Sequence, residues 1–123
     1  MLMRKMGIEK LSERRITEVS GGQLQRACIC RSMMNQPKIL FADEPTGALN
    51  HSAAQEVMEE FTRPNQEGTT ILMVTHDSKV AAICGRILYL LDGCIKGAFS
   101  PAGAAGEKER EAAVSRWLAG MGW

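Results

Sequence analysis

Apolar positions along the chain fall into alternating helical and extended stretches, with no internal repeat. Met1 to Met6 reads as the tail of a helix, closed by Gly7 in the left-handed position that ends many helices. A charged connector follows from Ile8 to Glu18. Ser20-Gly21-Gly22 opens a helix predicted to run to about Met34, where Asn35-Gln36-Pro37 stops it. Lys38 to Ala42 is a short apolar strand bounded by Asp43-Glu44-Pro45. Ser52 is the expected N-cap of a helix reaching about Thr62. Glu67-Gly68 turns the chain into a second β-rich strand, Thr69 to Val74. A short helix from Ser78 to Ile83 ends at Gly85, and Arg86 to Leu91 is a third strand. Asp92-Gly93 is the dipeptide a tight hairpin wants before Cys94 to Phe99. Pro101 to Gly106 reads as a linker, and the final helix begins near Glu107. Its Val114, Trp117, Leu118 and Met121 recur at helical spacing, a packing face rather than a binding box.

Strands that lack alternation and are separated by helices predict an α/β fold, with a parallel sheet covered on both faces. Such sheets take ligands at the carboxyl ends of their strands. Composition adds limits. The 123 residues are 45% hydrophobic and 24% charged, which fits one globular domain and excludes a disordered or fibrous chain. A formal charge of +1 gives no bulk electrostatic reason to bind nucleic acid. No apolar run is long enough to cross a bilayer, and no apolar stretch follows the charges of Met1 to Lys5. A cytosolic chain is the expectation. Cys28, Cys30, Cys84 and Cys94 have no C-x-x-C spacing and are expected to be small packing residues. Cys28 and Cys30, two apart on a helix, should point to different faces.

Candidate chemistry sits at two strand ends and one helix start. Ile39-Leu40-Phe41-Ala42 delivers Asp43 and Glu44 together at its carboxyl end, the Walker B arrangement. The first acid can hold Mg²⁺ through water, and the second can orient and polarise an attacking water. Acids also end strands simply by facing solvent. The strand Met73-Val74 leads into Thr75-His76-Asp77. If the strands are parallel, His76 emerges on the same edge as the acid pair, able to contact a terminal phosphate. A strand-end histidine by itself is more often a surface or core residue. Ser20-Gly21-Gly22-Gln23 presents bare N–H groups at the positive end of a helix, which attracts phosphate. An ordinary Ser-Gly cap would need neither the second glycine nor the glutamine.

Order and spacing combine these signals. Val-Ser-Gly-Gly-Gln, a helix, Asp-Glu-Pro-Thr, Gly-Ala-Leu-Asn, a strand and Thr-His-Asp together resemble the carboxyl-terminal half of an ABC transporter ATP-binding subunit. The resemblance covers about Ile8 to Phe99, and Glu44 to Leu49 is similar to the bacterial exporters of lipoproteins, macrolides and antimicrobial peptides. It implies a partial P-loop NTPase-type fold: a parallel sheet with flanking helices, plus a carboxyl-terminal β-hairpin and helix. Residues 1–100 would be the cassette part and 101–123 a linker and terminal helix. By the same resemblance Ser20, Gly21, Gly22 and Gln23 match the signature motif, which touches the γ-phosphate in a partner's site. Asp43 matches the Mg²⁺-binding Walker B acid, Glu44 the catalytic glutamate and His76 the switch histidine. Gly47, Ala48, Leu49 and Asn50 fall where the D-loop lies. ATP and Mg²⁺ are the implied cofactors. The implied partners are a second ATPase subunit and separate transmembrane permease subunits, with the chain peripheral on the cytoplasmic face of the membrane.

Two departures from the family pattern matter. Asn50 stands where the D-loop usually ends in Asp, keeping the size and losing the charge. More seriously, no G-x-x-x-x-G-K-S/T occurs, and none of the 12 Gly precedes a Lys. The phosphate cradle, its lysine and the Mg²⁺-ligating hydroxyl are missing, as are the adenine-stacking aromatic and the glutamine loop. The expectation is a truncated or split engine that needs a separate P-loop-bearing half. A non-catalytic remnant is the alternative. A DNA-maintenance ABC-type head is a third reading, disfavoured by the Pro45-Thr46-Gly47-Ala48 continuation and the lack of heptads.

Overall fold

The computed structural model describes residues 2–103 and 106–123. Its helices are α1 (Leu2–Lys5), α2 (Gly21–Met33), α3 (His51–Gln66), α4 (Ser78–Ile83) and α5 (Glu107–Gly120). Its strands are β1 (Ile39–Asp43), β2 (Thr70–Val74), β3 (Ile87–Leu91) and β4 (Cys94–Phe99). Met1 of the expected first helix, and Ala104 and Ala105 of the expected linker, lie outside the described residues. The chain divides into two compact units, Met1–Val74 and Thr75–Trp123.

In the first unit, α1 ends at Gly7 with φ +66, and 3₁₀ turns at Glu9–Leu11 and Ile16–Glu18 take up the charged connector. β1 and β2 form a parallel ladder from Ile39↔Thr70 to Asp43↔Val74. Backbone bonds from Thr70 N to Lys38 O and from Glu44 N to Val74 O, both 2.8 Å, extend it at either end. α2 packs on α1 and α3, and α3 packs on β2. The core holds Met6, Ile8, Ile29, Leu40, Val57, Met58 and Phe61. Leu40 is buried, whereas Ile39 and Phe41 are 52% and 73% exposed. On the neighbouring strand Leu72, the partner of Phe41, and Val74, the partner of Asp43, are 51% and 54% exposed. The expectation of a sheet covered on both faces is therefore corrected among the described residues. One face of β1–β2 is packed and the other is open and apolar.

α3 also differs from expectation at both ends. Its N-cap is Asn50, whose Oδ1 accepts from Ala53 N at 2.9 Å, and not Ser52. The helix continues past Thr62 through Pro64 because Val57, Phe61 and Pro64 form one buried stripe. The Pro64 carbonyl accepts from Thr69 N at 2.9 Å, which turns the chain into β2.

The second unit packs α5 against α4 and a hairpin. Asp77 caps α4 by accepting from Lys79 N at 2.8 Å. Asp92 at φ +51 and Gly93 at φ +73 make the turn joining β3 to β4, as the dipeptide predicts. β3 pairs antiparallel with β4, with a register shift between Tyr89 and Leu90. Parallel pairing is thus confined to β1 and β2 among the described residues, because the tight turn sends the chain straight back along β3. Val114 and Leu118, two of the four residues of the predicted α5 stripe, are buried with Ala82. Ile87, Tyr89, Phe99 and Trp117 close around them. The cysteines split: Cys30 is buried and Cys84 half-buried, but Cys28 and Cys94 are exposed, correcting the expectation that all four pack. Cys28 and Cys30 do face different environments, as their spacing requires.

Candidate functional site

Ser20 has extended backbone dihedrals and caps α2 through a reciprocal box. Its Oγ accepts from Gln23 N at 3.2 Å, and Gln23 Oε1 accepts from Ser20 N at 3.1 Å. The N–H groups of Gly21 and Gly22 have no intrahelical acceptor and remain at the helix end for an anion. Both glycines also have a packing reason. A Cβ on Gly21 would lie 3.1 Å from Leu49 Cδ2, and one on Gly22 would lie 3.2 Å from Ala53 Cβ. The glutamine and the second glycine therefore serve a structural purpose that sequence reasoning denied an ordinary cap. Gln23 completes the box, and Gly22 lets α3 approach α2.

Asp43 and Glu44 leave the carboxyl end of β1, opposite the end of β2. Asp43 is exposed and Glu44 half-buried. Glu44 has φ +44, in the left-handed region that non-glycine residues rarely occupy. Its N–H is anchored on Val74 O, and its carbonyl accepts from Gly47 N at 3.2 Å. Thr46 is buried, and its carbonyl accepts from Leu49 N at 3.1 Å. The stretch Gly47 to Asn50 thus leads from this turn to the cap of α3. Gln25, one helical turn beyond Gly21, donates from Nε2 to Pro45 O at 2.9 Å. The first turns of α2 and the segment after the acid pair are in direct contact. Gln25, Cys28 and Ile29 of α2 also line an open cavity of about 200 Å³ with Leu40 to Asp43.

His76 follows β2 by two residues and belongs to the second unit. Its ring lies against Trp123, with centroids 6.3 Å apart and planes at 27°. Trp123 in turn meets Tyr89 edge-on at 6.0 Å. Sequence reasoning missed Gln25 and Trp123. Gln25 carries a weak signal, standing four residues after Gly21 on the same helix face. Trp123 carries none, since Gly122 at φ +88 takes it out of the α5 stripe.

As an oxygen donor at an exposed strand end, Asp43 fits Mg²⁺, and the free amides at the start of α2 fit a phosphate. Among the described residues no group of three or more His, Cys, Asp or Glu converges to hold a metal by protein atoms alone.

Comparison with known proteins agrees with this arrangement. A family model described as ABC transporter matches residues 1–47, which include α2, β1 and the acid pair. The uncharacterized ABC transporter ATP-binding protein YknY of Bacillus subtilis is 43% identical over 105 residues, 85% of this chain and 46% of that protein. The macrolide export ATP-binding/permease protein MacB of Escherichia coli is 46% identical over 92 residues, 75% of this chain and 14% of that protein. The chain therefore spans less than half the length of these curated relatives. Among solved structures, the dimeric ATP-binding cassette MJ0796, in a post-hydrolysis state bound to ADP and Pi, matches with a TM-score of 0.67 and 35% identity. That match covers 78% of this chain and 43% of that one. The ADP conformation of the cassette MJ1267 matches at a TM-score of 0.78 and 23% identity, a likeness of fold. With the family model over residues 1–47, the relatives and the fold all pointing to ATP-binding cassettes, the chain belongs to the ABC transporter ATP-binding family.

Proposed function

We propose that this chain is the carboxyl-terminal part of the ATP-hydrolysing engine of a membrane exporter. The observation that carries the reading is the delivery of Asp43 and Glu44 together at the end of β1, with Glu44 N held by Val74 O of the parallel neighbour. Asp43 would hold Mg²⁺ through water, and the bound ion would neutralise charge on the phosphates. Glu44 would orient and polarise the attacking water. His76, by its match to the switch histidine, would contact a γ-phosphate. Ser20, Gly21, Gly22 and Gln23 would face the γ-phosphate of a second subunit's site, and Gly47 to Asn50 would form the D-loop between them. Residues 1–100 carry this cassette part, and 101–123 continue into the terminal helix. No helix among the described residues is long and apolar enough to cross a membrane. Its partners in this reading are transmembrane permease components, with the cassette part held at the cytoplasmic face of the membrane. Kinship with MacB supports export as the direction.

The lysine and backbone cradle of a P-loop would come from a P-loop-bearing half, whether on the same chain or supplied as a second one. The open face of Ile39, Phe41, Leu72 and Val74 is the surface it would cover. Closing over a half-exposed residue of this kind contributes on the order of 1 kcal/mol. Four such residues fall at or below the association cost of about 4–15 kcal/mol, so pairing of the open strand edges must add to them. Reassembly should therefore depend on concentration. The test is to co-express the two halves and measure ATPase rate against protein concentration. The chain alone should turn over no ATP above a Glu44→Gln control. The reassembled protein should, and should lose that activity with Glu44→Gln or His76→Ala. Ser20→Arg should block pairing of subunits without unfolding them. Inert co-purified halves, or activity indifferent to Glu44, would make the chain a non-catalytic remnant.

A further inference from the structure

The turn that carries Glu44 is held from outside as well as from within. Its left-handed backbone is fixed by Glu44 N on Val74 O and by Gly47 N on Glu44 O. Pro45 is buried and offers no N–H of its own, so its carbonyl is the group by which a neighbour can grip the turn. Gln25 supplies that grip, donating from Nε2 at 2.9 Å in a half-buried setting. Gly21 and Gly22 sit on the same stretch of α2, seating Leu49 and Ala53. Three residues of the first two turns of α2 thus contact the segment from Pro45 to Ala53. Gln25 does so through a directional hydrogen bond to the acid-bearing turn.

We propose that Gln25 is a positioning residue that makes the phosphate-facing end of α2 and the Glu44 turn one mechanical body. The functional half of this inference rests on the proposed function, in which Ser20 to Gln23 meet a partner's γ-phosphate and Glu44 serves this chain's own site. Under it, engagement of the α2 end at one site sets the orientation of the glutamate at the other. The signal runs within one subunit, through the Gln25 amide and the Pro45 carbonyl.

Two measurements decide it. The first is amide hydrogen exchange on the full chain and needs no activity. Gln25→Glu keeps the size, removes the donor and sets a carboxylate against the Pro45 carbonyl. The Gly47 and Leu49 amides, which close the turn, should exchange about tenfold faster, the worth of one net hydrogen bond. The Leu24 amide, bonded to Ser20 O at 2.9 Å, should be unchanged. Gln25→Lys, which restores an N–H donor on a longer stem, should stay near the parent. Unchanged exchange at Gly47 and Leu49 in Gln25→Glu would overturn the proposal. So would equal acceleration along α2, because that marks general loosening. The second measurement is ATPase of the reassembled halves, where Gln25→Glu should lower kcat about tenfold with KM for ATP nearly constant. A change in KM alone would overturn the coupling. Wild-type halves without ATPase would sink the proposed function, while the exchange result would still decide whether Gln25 positions the turn.

Discussion

Asn50 shows how one side chain can satisfy two descriptions. Against the family pattern it is a lost carboxylate, but in the fold it is the N-cap of α3, accepting from Ala53 N at 2.9 Å. Asn and Asp cap equally well, so the departure preserves the local structure. Asn50→Ala should cost about 1 kcal/mol, read as a lower urea midpoint by circular dichroism. Asn50→Asp should hold or raise that midpoint, since a negative charge at a helix N-terminus is favourable by about 0.3–1 kcal/mol. If Asn50→Ala proves neutral, the cap is not formed in solution. Glu44 presents the opposite case, a side chain suited to chemistry on a backbone suited to glycine. Such conformations persist where surroundings over-determine them, here through Val74, Gly47 and Gln25. Nothing in the letters Asp-Glu-Pro-Thr announces that φ. The acid pair was legible, and the bonds that hold it were not.

Among the elements, α2 and α4 were legible nearly to the residue because each opens on a side chain that caps it, Ser20 and Asp77. α3 begins two residues before the place Ser52 predicts because Asn50 takes the cap, and it passes Thr62 despite the break that Pro64 favours locally. Burial of Pro64 beside Phe61 overrides that local signal. The strands were found, yet the apolar run Ile39 to Ala42 could not say which of its faces this chain covers. α3 also carries an electrostatic cost. Burial pushes the Glu60 carboxyl above its ordinary value, against the pull of Arg26 and then Arg63. Folding therefore favours the protonated acid. That contribution is fully present below the unfolded-state pKa and is lost as pH rises through the raised folded value. Glu60→Gln, neutral at every pH, should accordingly show a higher urea midpoint than the parent at pH 7. The two should converge near pH 3, where a free carboxyl is largely protonated. A gap unchanged between these pH values would mean that the charge on Glu60 is not the cause.

At the scale of the whole molecule, both units leave apolar side chains in solvent, Phe41 at 73% exposure in the first and Leu90 at 60% in the second. The two differ in the backbone beneath. A bulge between Tyr89 and Leu90 interrupts the β3–β4 pairing, whereas the parallel ladder runs evenly from Ile39↔Thr70 to Asp43↔Val74. Bulges twist an edge away and break the regular row of donors and acceptors that an incoming strand needs. The hairpin is therefore a poor seed for fibre growth and the parallel pair a good one. On prolonged incubation, Phe41→Lys should lengthen the lag before thioflavin-positive fibres form severalfold, and Leu90→Lys should scarcely alter it. A larger delay from Leu90→Lys would show that polymerisation begins on the hairpin despite its bulge. The irregularity at Tyr89 and Leu90 thus directs where a chain left without its partner begins to polymerise.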